Sequence, residues 1–198
     1  MRPAEPAGRS DGRALRSERT RARLVEAVRT AVARGEDPTP ERVSALAGVS
    51  ERTLFRLFGD LPALWQAVRV RMAADLAQIL EAGPFEGSVR ARTQELVRRR
   101  IAAFEAMAPY RRWVDAREVL YPDIRAGRAM LDRRLQAQTR EALGPELAGT
   151  RARLAPAIDS LLSYESWSYL RTLRGLGPRQ VARLLETAVL RLLGESPR

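Results

Sequence analysis

The chain has 198 residues and a formal charge of +11, made by 35 arginines against 24 acidic side chains; lysine, histidine, cysteine and asparagine are absent. Without cysteine there is no disulfide or thiolate chemistry, and without histidine any general acid or base must be Asp, Glu or Tyr. No Gly-rich phosphate loop, nucleophile elbow, secretory leader or apolar run near the roughly 20 residues of a membrane span occurs, so the expectation is a cytoplasmic non-enzyme with no cofactor, metal or membrane role.

Residues 1 to 16 hold Pro3, Pro6, Gly8, Gly12 and four arginines with almost nothing to bury, which reads as a disordered basic tail. The charge does not concentrate at this end. Residues 1 to 60 carry 12 Arg against 9 acids, a net of +3, and the remainder 23 against 15, a net of +8. From Ser17 the period becomes helical, with Leu24, Val28, Ala31 and Val32 on one face and an end by Gly35.

The stretch Thr39 to Phe58 then reads as a helix-turn-helix. Thr39 is a good N-cap and Pro40 suits the first helical position, giving a short helix with Val43, Leu46 and Ala47 as its apolar stripe. Gly48 accepts the left-handed backbone of a tight turn, and Ser50 caps a second helix that buries Leu54, Leu57 and Phe58. Ser44 is small where the two helices would cross closely. With that face inward, Glu51, Arg52, Phe55 and Arg56 point outward or sideways, as candidates for meeting a major groove.

Pro62 can open a fourth helix that carries Leu64, Val68, Met72, Leu76 and Leu80 to the Gly83-Pro84 break, a single stripe suited to a connector. A helix from about Ser88 to Met107 follows, which Pro109 should terminate or kink, with Arg98 to Arg100 as a solvated face and Trp113 and Val114 on a separate short helix. Asp115 and Glu118, after Arg111 and Arg112, read as surface ion pairing. Asp123 to about Leu143 is helical again, with Ile124, Met130, Leu131 and Leu135 apolar, and Gly144-Pro145 closes it. The last two helices are expected at about Thr150 to Leu173 and from Pro178 onward, both broadly apolar, which suggests a subunit interface formed by Leu161, Trp167, Leu184, Leu185, Ala188 and Leu192.

The N-terminal third resembles the DNA-binding domain of the tetracycline-repressor (TetR) family of transcriptional regulators. The residues that carry the likeness are Leu24 to Ala33 as an amphipathic first helix, the turn Ser44 to Ser50, the segment Thr53-Leu54-Phe55, and Phe58-Gly59-Asp60-Leu61 opening helix 4. Phe55 stands where many members have a phosphate-reaching tyrosine, and Leu61 where a lysine is common. The resemblance implies an all-α fold: a helix-turn-helix domain over residues 17 to 61, and a helical regulatory and dimerisation domain over 62 to 198 whose last long helices build a four-helix bundle between two protomers.

It also implies a homodimeric, ligand-responsive repressor of a pseudo-palindromic operator on double-stranded DNA, with Thr39, Ser50, Glu51, Arg52, Thr53, Phe55 and Arg56 at the DNA. An activator or ligand-independent DNA binder is the neighbouring reading, and a helical interaction protein that never touches DNA is the reading from another class. The candidate lining of an effector pocket is Phe104, Met107, Trp113, Tyr121 and Trp167, with Trp65 and Met72 also suited, which points to a hydrophobic or aromatic small molecule.

Overall fold

The computed structural model describes residues 8–115 and 123–195, and every regular element among them is helical. The helices are α1 (Gly8–Ala33), α2 (Pro40–Ala47), α3 (Glu51–Phe58), α4 (Leu61–Leu80), α5 (Val89–Asp115), α6 (Asp123–Leu143), α7 (Ala155–Leu161), α8 (Tyr164–Ser168) and α9 (Pro178–Leu192). They sort into two compact units. The first comprises residues 1–75 and 109–113; the second, residues 76–108 and 114–198.

Unit 1 is built on the apolar faces that periodicity marks. Leu24, Val28, Ala31 and Val32 of α1 are buried, and they meet Val43 and Ala47 of α2, Leu54, Leu57 and Phe58 of α3, and Leu64, Trp65 and Val68 of α4. α1 begins at Gly8 rather than Ser17, so residues 8 to 16 of the expected tail are helical; residues 1 to 7 lie outside the described part. No proline interrupts the chain between Gly8 and Glu36, and Arg16 Nε and Thr20 Oγ1 each donate to a carbonyl four residues back, at 3.0 and 2.9 Å. α4 starts where Asp60 Oδ1 accepts from the Ala63 N–H at 2.8 Å, with Pro62 in the first turn, where its missing N–H costs little.

α5 runs through Pro109 to Asp115 instead of ending there, which places Trp113 and Val114 on the same helix as Phe104. A proline inside a helix removes a rung and crowds the preceding turn. The offset is packing beyond it: Tyr110 and Trp113 lie against the core of unit 1, and Trp113 stacks on Trp65 with ring centroids 4.4 Å apart and planes 17° from parallel.

Unit 2 buries Leu96, Val97, Phe104 and Met107 of α5, Leu135 and Leu143 of α6, Ile158 of α7, Trp167 of α8, and Val181, Leu185 and Val189 of α9. α6 has the bounds its sequence pattern gives, but Met130 is 65% exposed, so that position lies off the buried stripe. Asp115 pairs with Arg128; Glu118 lies outside the described residues.

The segment expected as one helix over 150 to 173 is in pieces: a 3-10 turn over Gly149–Leu154, then α7, then α8, then a wider π turn over Tyr169–Leu173. Ser163 makes the break. Its Oγ accepts from the Ser166 N–H at 3.2 Å and so caps α8, the competition with backbone that makes serine a poor helix-interior residue.

Candidate functional site

The α2–turn–α3 segment is fixed by its caps. Thr39 Oγ1 accepts from the Arg42 N–H at 3.2 Å, and Ser50 Oγ accepts from the Thr53 N–H at 3.2 Å while lying 3.0 Å from Thr53 Oγ1. Between them Gly48 sits at φ 62°, and its N–H closes on Ala45 O at 3.1 Å while that of Val49 closes on Ser44 O at 3.0 Å. The left-handed backbone is what calls for glycine at 48; a Cβ there would also lie 2.9 Å from Arg23 Nη2, the movable end of a long side chain. Ser44 is buried at the crossing.

On α3, Leu54, Leu57 and Phe58 face the core, while Glu51, Arg52, Phe55 and Arg56 are exposed and Thr53 is half-buried. Arg52 and Arg56 stand one turn apart and form no ion pair with a described residue. Thr39 and Ser50 are exposed at the two helix starts. The seven residues read from the sequence as a DNA-contacting set therefore lie on this helix pair or at its caps, and the outward face offers two guanidinium forks and a ring edge to whatever docks there.

Two further arginines brace the segment, and the sequence reading missed them. Arg21 donates to Leu57 O and sits 4.9 Å over the Phe58 ring, and Arg23 donates to Ala47 O, so each satisfies a carbonyl in the last turn of α3 or α2. Their signal was their place on α1 beside Leu24, at the edge of its apolar face. Trp113 donates from Nε1 to Asp37 Oδ1 at 3.2 Å, in the loop that leads into α2.

Of the five residues expected to line an effector pocket, three are buried in unit 2. Phe104 and Trp167 are buried in unit 2 with Tyr164: Phe104 meets Tyr164 edge-on at 5.7 Å and Trp167 at 5.8 Å, and Tyr164 and Trp167 are 5.2 Å apart. Met107 is buried too. Trp113 belongs to unit 1, stacked on Trp65, and Tyr121 lies outside the described residues. The buried indole N–H of Trp167 meets no acceptor among the described residues.

Of the six interface candidates, Trp167 and Leu185 are 2% and 3% exposed within a single chain, which assigns both to the core of unit 2. Leu184 and Leu192 are exposed, and Leu161 and Ala188 half-buried. The broad stripe on α9 thus divides: Val181, Leu185 and Val189, spaced by four, turn inward, and Leu184 with Leu192 turns out.

The reading of Arg98 to Arg100 as a solvated face is corrected for two of the three. Arg98 is exposed and paired with Glu95, but Arg99 and Arg100 are buried. Arg99 donates to Gly83 O at 2.7 Å and Leu80 O at 3.3 Å past the end of α4, lies 4.3 Å over the Phe85 ring and pairs with Glu95 at 2.6 Å. Arg100 shares a helix face with Leu96 and Phe104, four residues either side, the periodicity that could have found it.

Arg100 Nε donates to Gln138 Oε1 at 2.8 Å, Nη1 to Leu162 O at 3.1 Å, and Nη2 to Leu135 O and to Thr139 Oγ1, the last at 3.0 Å. Burial pushes this guanidinium down to about 10 against the opposing pull of Asp159, so it remains charged at neutral pH. Arg100 also forms part of the wall of an open cleft of about 440 Å³ along α6 and α7.

Among the described residues no cluster of carboxylates could hold a metal ion, and no helix is long and apolar enough to cross a membrane. No family model, curated protein or solved structure matches the chain.

Proposed function

We propose that the chain is a homodimeric transcriptional regulator of the tetracycline-repressor type, in which α3 enters the major groove of an operator and a small molecule held by unit 2 releases it. The observation that carries the reading is the α2–turn–α3 pair: two capped helices about a left-handed glycine, with Arg52 and Arg56 exposed on the outward face of the second and forming no ion pair with a described residue. Two recognition helices related by a two-fold axis match half-sites about one helical turn apart, which calls for a pseudo-palindrome. The exposed Leu184 and Leu192 of α9 offer apolar surface for the dimer. The effector acts by binding better to a conformation in which the two α3 helices no longer fit successive grooves, which makes repression the expected sign.

The test is selection from random duplex DNA at moderate salt, followed by the same selection with Arg52→Ala. A bidentate arginine–guanine contact discriminates by roughly 1 to 3 kcal/mol, so the variant should lose base preference at one symmetric pair of positions. Uniform weakening across all sequences would move Arg52 to a phosphate. Retention of no duplex by the parent chain would leave a helical interaction protein as the better reading.

A further inference from the structure

The cleft along α6 and α7 brings a buried guanidinium, Arg100, and a half-buried carboxylate, Asp159, to one wall. Its wall carries charge of both signs, Arg100 and Arg140 with Asp132, Asp159 and Glu165, and Leu135 and Pro156 give it apolar surface. Arg100 is 1% exposed, and its four hydrogen bonds all go to neutral acceptors. A guanidinium has five N–H donors, so one remains unused among the described residues.

Thr139 Oγ1 accepts from Arg100 Nη2 at 3.0 Å and donates to Asp159 Oδ1 at 2.6 Å, so a guanidinium nitrogen and a carboxylate oxygen stand two hydrogen bonds apart across one hydroxyl. The second oxygen of Asp159 accepts from no described residue. A cation and an anion, each with hydrogen-bonding capacity to spare, thus contribute to one cavity wall within a few ångströms of each other.

We infer that this cleft is the effector site and that its ligand is a free α-amino acid, the carboxylate accepting from Arg100 and the ammonium donating to Asp159; only the consequence of binding for DNA rests on the regulatory reading above. Charge selects this class. A simple anion at Arg100 would face the Asp159 carboxylate, and a simple cation at Asp159 would face the guanidinium, whereas an α-amino acid brings both charges on neighbouring atoms and adds no net charge to the cleft. Size agrees: about 440 Å³ is at the small end of ligand pockets and suits one amino acid with its side chain along Leu135 and Pro156 toward Gln136 and Arg140. The charged groups on this wall depart from the hydrophobic or aromatic ligand that the aromatic residues of the sequence suggest.

The experiment is titration calorimetry of the full chain, without DNA, against the common L-amino acids one at a time, with acetate and ethylammonium as single-charge controls. At least one amino acid should bind and neither control should. Asp159→Asn, which still accepts from Thr139, should weaken binding roughly tenfold to hundredfold with unchanged circular dichroism. The methyl ester of the bound amino acid, which lacks the carboxylate charge, tests the Arg100 end without disturbing a buried residue and should bind at least as much more weakly. If no amino acid binds, or if Asp159→Asn or the ester matches the parent affinity, the assignment is overturned. Amino-acid binding by a chain that retains no duplex DNA would uphold the cleft and remove the regulatory reading; operator retention with no amino-acid binding would do the reverse.

Discussion

In unit 1 arginines surround an apolar core, whereas in unit 2 two of them enter it. Arg21 and Arg23 reach over the ends of α3 and α2 from the rim of α1, and Arg52 and Arg56 point away altogether. Arg99 and Arg100, in contrast, are nearly without solvent, held by backbone carbonyls, a glutamine, a threonine and one glutamate. The residue type is the same, and the helix phase decides. A buried guanidinium is tolerable only where carbonyls converge on it, which the broken backbone around Leu162, the end of α4 and Leu135 O within α6 provide.

The comparison can be broken by moving charge to a part of unit 2 that lacks such acceptors. Leu185→Glu puts a carboxylate into an apolar site that is 3% exposed, and unit 2 should lose cooperative thermal unfolding by circular dichroism. Its neighbour Leu184 is 47% exposed; Leu184→Glu should change stability by no more than about 0.5 kcal/mol and, on the dimer proposal, convert the sedimenting species to monomer. If both variants fold alike, unit 2 accepts buried charge generally and the contrast drawn here fails.

Next in size is Arg100→Ala, which strands four acceptors and leaves a cavity, for a cost of about 3 to 5 kcal/mol by urea denaturation, against about 0.5 kcal/mol or less for Arg52→Ala. Equal losses would mean that burial does not separate the two kinds of arginine. Within unit 1, Gly48→Ala must take φ 62° and meet Arg23 Nη2 at 2.9 Å, a cost of about 1 to 2 kcal/mol. Adding Arg23→Ala should recover the steric part and leave the backbone part, a coupling that a double-mutant cycle reads.

The smallest effect is electrostatic. Hydrogen bonds from Arg98, then from Arg99, hold the Glu95 carboxyl at about 2, well below its usual 4.5, against an opposing effect of burial. A depressed carboxyl contributes stability that is fully present above its unfolded value and is lost as pH falls toward the folded one. Thermal stability should therefore decline from about 4.5 toward about 2, by roughly 1 kcal/mol or less for a pair this near the surface, and Glu95→Gln should flatten that limb. An unchanged acid limb in the variant would place the titrating group elsewhere.

Unit 1 was legible because its signals are local and agree with one another: caps at Thr39 and Ser50, a turn glycine at 48, and an apolar stripe on each helix. Unit 2 was legible in helix content and less so in connection. Pro109 reads as an end, and only the packing of Tyr110 and Trp113 explains why α5 continues. Ser163 is one serine among several, and nothing next to it in sequence announces that it caps a new helix. The pocket candidates were chosen by aromatic character, which packing consumed, while the polar cleft is assembled from positions as distant as Arg100 and Asp159.

The three tryptophans divide between the units in a way that makes the two units spectroscopically distinct. Trp65 and Trp113 are nearly parallel at 4.4 Å, close enough for their electronic transitions to couple. Trp167, 5.2 Å from Tyr164 and buried, has no indole partner in unit 2 and emits as a single blue-shifted fluorophore that collects energy from the tyrosine. One unlabelled sample thus carries two optical reporters, a stacked indole pair in the α2–α3 unit and a tyrosine-sensitised emission for the other.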